Sequence, residues 1–395
     1  MADAPLVIFA VERDGWCFNN IGQALAVALS DSYRFKVVPS NRLINESCDV
    51  LVSMWWNHTL RVLGRTKPKS VVTCLYDMLS WNINEAARAQ FRLVLRHTDV
   101  LAVCNEQIQD QVAKEYGQSC PPICLTEDGV DTRRFAQAPL PKKFCIGWTG
   151  NSRRMTPGGP EDLKGLGLIR PAVAELAGID LHVLDASSGA SWPHEKMPEF
   201  YRGISAIIIG SSHEGTPNPL LEGMACGRPA ISTRVGVAEK VIKDGDNGLL
   251  IERNQDSIAK AVRFLASLDR KRLEAMGRSA AATVKCHWSW EQKSHAWRDC
   301  IQLALRAPKR IYVPEPVMIK HRPPSVPRVE VIRGDKSKRP PPAIDGRPRV
   351  LCISDVPGWA FHQNMMDLEE SLRDRFECEH WFVADYKSNG VVPDM

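Results

Sequence analysis

Residues 6–11 (Leu-Val-Ile-Phe-Ala-Val) form a continuous apolar run with β-branched members. A polar, Gly-containing stretch follows from Glu12 to Asn20, and then Ile21, Leu25, Ala28 and Leu29 recur at helical spacing. This reads as strand, loop, helix. Short apolar runs at 50–54, 71–75 and 100–104 predict further strands, with helical stretches between several of them. A second series begins at 144–148 and continues with strand-like runs at 181–184, 206–209 and 229–232 and a helical pattern over 165–176. Short apolar strands alternating with helices predict parallel sheets covered on both faces. Gly129-Val-Asp131 and residues 136–141 read as the connection between the two series. The expected fold is α/β, with two Rossmann-like domains facing across a cleft at the carboxyl ends of their strands. The predicted domains are 1–140 and 141–306.

A helical segment over 289–306 carries Trp290, Trp297, Ile301 and Leu305 on one face and is expected to pack on the body. Beyond it the pattern lapses. Residues 308–349 hold 11 Lys/Arg against 4 Asp/Glu, and 10 of the 27 prolines. Residues 307–346 are therefore expected to be an extended, mobile linker. From 347 the chain reads as globular again, starting with a strand at 349–354. Aligned without gaps, residues 350–381 match 7–38 at seven of 32 positions, including Gly15/Gly358, Trp16/Trp359 and Phe18/Phe361. About two matches are expected by chance. Residues 347–395 read as the first strand–loop–helix of a second, similar domain, which the natural polypeptide is expected to continue.

Composition narrows the classes. With 395 residues, 44% hydrophobic and 25% charged, the chain is an ordinary soluble type of two or three domains. No apolar run approaches the roughly 18 residues of a membrane span, and the start lacks a secretory pattern, so a cytoplasmic location is expected. The net charge of +5 comes from residues 308–349, whose excess of seven leaves the rest slightly acidic. That argues against nucleic-acid binding by the folded part and leaves the linker as the part suited to weak membrane-surface contact. The 12 cysteines are scattered, mostly in apolar runs, and read as buried free thiols. Cys120 and Cys124 are the one close pair and lack a matching second pair for zinc.

The chemistry concentrates in residues 207–231. An apolar strand runs into Gly-Ser-Ser-His-Glu214-Gly-Thr-Pro-Asn218-Pro219, and Gly227 and Pro229 end the helix that follows. Asn218 suits the N-cap, Pro219 the first helical position and Gly227 the C′ position, which predicts a helix over about 219–226. Its N-terminus would offer free N–H groups and partial positive charge to the cleft. Glu214 and Glu222 flank the turn, and carboxylates, being acceptors only, suit pairs of vicinal hydroxyls. Asp244-Gly-Asp246 precedes Asn247-Gly248 and reads as a turn, not a metal site.

Glu214-x7-Glu222 followed by Gly-Met-Ala-Cys-Gly-Arg-Pro-Ala-Ile231 resembles the signature of family 4 glycosyltransferases, which are retaining enzymes of the GT-B fold. Asp128-Gly-Val-Asp131 with Phe135, Lys164-Gly165, Met197-Pro-Glu-Phe-Tyr201, Gly236 with Glu239, Asp244 to Leu250 and Trp288-Ser-Trp290-Glu291 resemble other pieces of that family. The likeness covers about 1–306. It implies that Lys164 and either Arg153 or Arg154 hold the donor diphosphate, where cationic groups stabilise the leaving charge. It also implies that Glu222 binds the ribose. Glu214, the catalytic candidate, would bind the donor sugar with Gly215, Thr216 and Asn218, and Pro219 and Leu220 at the helix start complete the donor site. Gly15 and Trp16 lie where the family's first loop approaches the phosphates and acceptor. The family often has His-Asp after the fourth strand of its first domain, whereas here Leu75 is followed by Tyr76-Asp77. Asn57-His58, after the preceding strand, is the other source of an imidazole near that position.

The resemblance implies sugar transfer from a nucleotide-diphosphate donor to a glycan, lipid-linked saccharide or protein, with retention of configuration and with neither metal nor further cofactor. Two other readings stand beside it. One is a catalytically silent sugar-nucleotide-binding module of a tandem protein. The other is a nucleotide-sugar epimerase of the same fold.

Overall fold

A computed structural model of the chain describes residues 4–308 except 79, 157–158 and 190–191, and in the tail only the strands at 349–354 and 377–382. Most of the predicted linker, and the Gly358-Trp-x-Phe361 half of the internal repeat, lie outside the described residues.

The first lobe is a six-stranded parallel sheet. Its strands are β1 (Leu6–Val11), β2 (Arg34–Pro39), β3 (Glu46–Ser53), β4 (Thr66–Leu75), β5 (Val100–Val103) and β6 (Ile123–Leu125), in the order β2-β1-β3-β4-β5-β6. Helices α1 (Cys17–Ala28), α2 (Thr59–Leu63), α3 (Glu85–Arg96) and α4 (Glu106–Tyr116) connect them. The central strands are buried almost throughout, as the uninterrupted apolar runs require. β2 is the exception: Arg34 is exposed and Lys36 alternates with the half-buried Phe35 and Val37, because β2 sits at the sheet edge.

The second lobe is a five-stranded parallel sheet in the order β10-β7-β11-β12-β13. It is built from β7 (Cys145–Gly150), β10 (Asp180–Asp185), β11 (Ala206–Ile209), β12 (Ala230–Thr233) and β13 (Gly248–Ile251). Between β7 and helix α5 (Leu166–Ala174), β8 (Arg154–Thr156) and β9 (Gly159–Glu161) pair antiparallel, which accounts for the long spacing between Arg153 and Lys164. The lobe continues with α6 (Met197–Arg202), α7 (Asn218–Ala225), α8 (Ala238–Val241), α9 (Gln255–Ser267) and α10 (Arg270–His287). Among the described residues, no helix is long and apolar enough to cross a membrane.

Helix α11 (Trp290–Arg306) departs from the predicted domain boundary. Trp290, Trp297, Cys300, Ile301 and Ala304 join the core of the first lobe, not the second. Trp297 meets Phe9 edge-on at 6.0 Å, and the Ser70 hydroxyl donates to the Ala304 carbonyl at 2.7 Å. The buried stripe ends on Ala304, whereas Leu305 stays 37% exposed. The segment 126–141 and α11 therefore cross between the lobes side by side: Val130 N–H donates to the Trp288 carbonyl and Trp290 N–H to that of Val130.

In the tail, β14 (Arg349–Ser354) and β15 (Glu377–Phe382) pair parallel, Arg349 opposite Glu377 through Ser354 opposite Phe382. In the first lobe Leu6 lies opposite Arg34 through Val11 opposite Pro39. Both strands of the tail pair are thus displaced by the same 343 residues, the offset of the sequence repeat. The ten cysteines within residues 4–308 are free thiols, and six are buried.

Candidate functional site

β11 delivers the chain to the loop 210–217, which turns into α7 at the junction of the lobes. Lys164 reaches this loop because Gly165 adopts φ +75° against Gly210, where a Cβ would lie 2.1 Å from the Gly210 carbonyl oxygen. Only glycine permits that approach. The Lys164 ammonium then donates to Glu214 Oε1 at 2.5 Å, and the Ser211 hydroxyl donates to the same oxygen at 2.6 Å. Lys164 is three-quarters covered and Glu214 almost fully, so this pair is a fixed feature of the cleft and not a surface ion pair. The N-terminus of α5 is already occupied: the Asp162 carboxylate accepts from the Leu166 and Gly167 N–H groups at 3.1 and 2.6 Å.

Helix α7 runs one residue out of step with the predicted 219–226, and its stop is as expected, with Gly227 at φ +77°. Asn218 does not cap it. Pro217 occupies the cap position without a side-chain bond. The Asn218 amide reaches across the cleft and donates to Cys17 Sγ at 2.9 Å. Cys17 is the first residue of α1, so the N-termini of α1 and α7 face each other across the lobe boundary. The Cys17 thiol reaches solvent but is hemmed in by both lobes; that enclosure and the Asp128, Glu12 and Glu222 carboxylates hold it well above the usual thiol range, so it stays protonated. Leu220 contributes only backbone: its side chain is in the core, and its N–H is taken by the Pro217 carbonyl at 2.8 Å.

Glu222 sits one turn into α7 and is buried. Its Oε1 faces His194 Nε2 at 2.9 Å, and its Oε2 accepts from the Tyr201 hydroxyl at 2.6 Å. His194 Nδ1 in turn faces Arg134 Nη1 at 3.1 Å. Burial and the Glu222 charge push the Tyr201 phenol well above its ordinary range, which keeps it a donor.

The lobes meet at Gly215. A Cβ there would lie 2.2 Å from the Tyr76 carbonyl oxygen and 2.8 Å from Cys104 Sγ, and the Asn105 amide donates to the Gly215 carbonyl at 3.0 Å. Asn105 also caps α4 through the Ile108 N–H at 2.9 Å. Beside this contact the Tyr76 hydroxyl donates to Asp128 Oδ1 at 3.2 Å. The buried Thr216 hydroxyl faces the same carboxyl without good hydrogen-bond geometry. Burial drives the Asp128 carboxyl up to about 7, against the help of the Thr216 and Tyr76 hydroxyls and with a smaller push from Glu127. Glu127 bridges the Lys240 and Lys293 ammoniums at 2.8 and 2.7 Å, and Lys240 also pairs with Glu106 of α4 at 2.9 Å. Burial would raise the Glu127 carboxyl, but these two lysines hold it below its ordinary range.

Gly15 (φ +73°) lies in the β1–α1 loop, its N–H donating to Asn19 Oδ1 at 3.3 Å. Trp16, next to it, is 48% exposed beneath the Arg13 guanidinium, 3.3 Å from the ring centre. Arg153 is exposed in the loop after β7, and Arg154 starts β8. Asp77 caps a local turn, accepting from the Ser80 N–H and hydroxyl at 2.5 and 2.6 Å, and His58 ends a one-turn helix before α2. The Asp244 and Asp246 carboxylates diverge, accepting from the Leu250 N–H and the Ser279 hydroxyl respectively. The structure thus brings Lys164, Glu214, Gly215, Thr216, Asn218 and Glu222 together around one junction. It adds Arg134, His194, Tyr201, Asn105 and Asp128, which sequence reasoning did not name as site residues although Asp128, Phe135 and Tyr201 stood in its flanking motifs.

A protein-family profile described as "Glycosyl transferases group 1" matches residues 188–283, which run from just before α6 into α10 and include Glu214 and Glu222. Among curated proteins, an uncharacterized glycosyltransferase of Methanocaldococcus jannaschii is 33% identical over 25% of this chain and 28% of its own length. The D-inositol 3-phosphate glycosyltransferase of Acidothermus cellulolyticus is 30% identical over 28% of this chain and 25% of its own. That of Streptomyces bingchenggensis is 28% identical over 54% of each. The chain thus spans about half or less of the length of these relatives. Among solved structures, a sucrose-phosphate synthase from Thermosynechococcus elongatus superposes with a TM-score of 0.60 at 13% identity, covering 76% of this chain and 98% of that one. Anabaena HepE in complex with UDP and glucose gives 0.58 at 12%, covering 76% and 99%. The fold is that of GT-B glycosyltransferases, with two parallel sheets.

Proposed function

We propose that this chain transfers a sugar from a nucleotide-diphosphate donor to a hydroxyl acceptor, with retention of configuration and without a metal ion. The observation that carries this reading is the convergence of Lys164, Glu214 and the α7 N-terminus at the lobe junction, opposite the α1 N-terminus. A diphosphate would take the ammonium of Lys164 and an arginine at 153 or 154, and the helix dipole would favour its charge. Glu214 would accept from donor-sugar hydroxyls and Glu222 from the ribose. The bond from the anomeric carbon to phosphate breaks, the acceptor oxygen bonds to the same face, and the acceptor's proton passes to the departing phosphate oxygen. No protein nucleophile is required. The acceptor, a glycan, lipid-linked saccharide or protein, would approach from the β1–α1 loop, where the exposed Trp16 offers a stacking surface.

A panel of UDP-, GDP- and ADP-sugars, scored by release of nucleoside diphosphate, tests the reading, with D-inositol 3-phosphate among the acceptors because the curated relatives carry that name. Glu222→Ala should weaken donor binding, since a hydrogen bond to a charged group contributes about 1.5–3 kcal/mol. Glu214→Ala should chiefly lower turnover. Wild-type transfer by both folded variants would remove the site assignment. One observation favours a silent binding module instead: Tyr76, in place of the family's histidine, spends its hydroxyl on Asp128. Donor binding without release of nucleoside diphosphate across the panel would establish that alternative.

A further inference from the structure

The pair Glu214–Lys164 and the α7 N-terminus absorb most of the chemistry at the junction. They leave unexplained why one buried carboxylate, Glu222, is enclosed by three polar side chains from separate segments: Arg134 from the interlobe crossing, His194 from the loop before α6, and Tyr201 from α6. Their protonation pattern follows from elementary donor counting. Arginine only donates, so His194 Nδ1 must accept at that 3.1 Å contact. The imidazole is then neutral, its one proton sits on Nε2, and Nε2–H donates to Glu222 Oε1. Tyr201 donates to Oε2. A carboxylate offers about four lone-pair sites, so each Glu222 oxygen keeps one for a ligand. Two remaining acceptors on adjacent oxygens match the two donors of a vicinal cis-diol.

The anchor is itself rigid. The Asp131 carboxylate accepts from the Arg133 and Arg134 N–H groups at 3.0 and 3.2 Å, fixing the backbone that carries Arg134. The Phe135 ring packs on both the His194 ring (5.3 Å between centres) and the Tyr201 ring (5.9 Å). His194 is one-fifth exposed and Glu222 less, so the carboxylate is partly reachable from solvent. Resting on the donor-binding reading above, we propose that His194, oriented by Arg134, is the positioning residue that aims Glu222 at the ribose 2′- and 3′-hydroxyls and so selects ribonucleotide donors over 2′-deoxy analogues. Without the Nε2–H donor, Glu222 would be held by Tyr201 at Oε2 alone, and the remaining lone pair of Oε1 would lose its fixed direction.

Calorimetric titration of the full chain with UDP, GDP and ADP and their 2′-deoxy counterparts tests this. The wild type should favour the ribonucleotide at least tenfold. In His194→Ala that preference should fall to about threefold or less, through weaker ribonucleotide binding with little change for the deoxy analogue. Donor KM should rise while kcat at saturating donor stays within about twofold. His194→Gln, whose amide N–H can replace Nε2–H, should restore most of the preference. A ribo-to-deoxy ratio unchanged in both variants would overturn the proposal while leaving the donor site standing. If the wild type binds no nucleoside diphosphate, the donor reading itself falls, and the selector with it. Should His194→Ala fail to fold, nitrogen-15 NMR of the wild type decides: a protonated Nδ1 on His194 refutes the arrangement, and an Nε2–H tautomer together with partial loss of the ratio in Arg134→Met supports it.

Discussion

Gly215 is the point at which the smallest possible change should separate the two lobes. In Gly215→Ala the new Cβ would lie 2.2 Å from the Tyr76 carbonyl oxygen, whereas ordinary contact begins near 3.4 Å. The shortfall is 3.4 − 2.2 = 1.2 Å, and the 2.8 Å approach to Cys104 Sγ points at the same lobe. Both opposing atoms are anchored. Tyr76 follows β4, its ring packs on Phe18 at 4.6 Å, and Cys104 follows β5 with its side chain in the core. The cheaper response is therefore for the lobes to part by about an ångström, which also stretches the 3.0 Å bond from Asn105 to the Gly215 carbonyl. Overpacking of this kind costs about 1–3 kcal/mol, but a hinge that yields would show little of it as lost stability. The larger effect should be on chemistry, since a 1 Å misplacement of reacting groups costs on the order of a hundredfold in rate. Gly203→Ala, with ordinary contacts at 3.4 and 3.6 Å, serves as the control. Expected outcomes for Gly215→Ala are a melting temperature within a few degrees of wild type and faster amide exchange at 104–106 and 213–216. Donor turnover should fall by one to two orders of magnitude. Full turnover, or a collapse of stability with no change in exchange confined to those segments, would refute the wedge.

Three further outcomes follow from the same geometry. Asp128, with its carboxyl raised to about 7 from an ordinary 3.8, binds a proton in the folded state over a range where the unfolded chain has released it. Its contribution to stability should therefore decline as pH rises from about 4 to 7, at no more than about 1.4 kcal/mol per pH unit. Asp128→Asn should remove that component, read as the difference between urea unfolding curves of the two proteins at pH 5 and 8; parallel profiles would contradict it. Arg228 is fully buried and donates to the Tyr201, Ala138 and Pro139 carbonyls at 2.8, 3.1 and 3.0 Å, pinning the interlobe connection to the second lobe. Arg228→Met strands those acceptors and should cost about 3–5 kcal/mol in urea unfolding, and a loss under 1 kcal/mol would show the connection is held otherwise. Transfer should persist in EDTA, because Lys164 and a helix N-terminus supply the positive charge; loss restored by manganese would reopen the Asp244 and Asp246 turn.

What the sequence made legible divides along physical lines. The central strands were readable because burial on both faces demands unbroken apolar runs, as at 6–11, 71–75 and 206–209. β2 was not, because an edge strand keeps charges such as Arg34 and Lys36 on its open face. The stripe on α11 announced a buried face, but periodicity names no partner, and the helix crosses back to the first lobe to bury Trp297 beside Phe9. The repeat offset of 343 was visible in seven identities, and the matching register of β14–β15 and β1–β2 gives it a structural counterpart in the strands alone.

The site divides differently. Glu214 and Glu222 are legible because a turn, a proline at the helix start and a glycine stop fix their spacing within one short segment. Ser211 aside, their partners Lys164, His194 and Tyr201 come from elsewhere in the chain, at distances no local pattern constrains. Asn218 shows how a local rule can point the wrong way. Its residue type and the proline after it favour an N-cap, yet its amide is used on Cys17 in the other lobe. Uncapped at a lobe boundary, α7 gives up the roughly 1 kcal/mol of a good cap; Pro219 has no N–H and the Leu220 N–H is taken by the Pro217 carbonyl, so what it offers an anion is chiefly its dipole. The same exchange occurs at α1, where the exposed Trp16 stands at the cap position without a capping bond. Side-chain caps are also absent at α2, α6, α8 and α11, so folding alone accounts for an uncapped start; what distinguishes α1 and α7 is that their N-termini face each other. On the donor-binding reading, a diphosphate between these termini would require the lobes to hold the register that Gly215 and Asn105 impose.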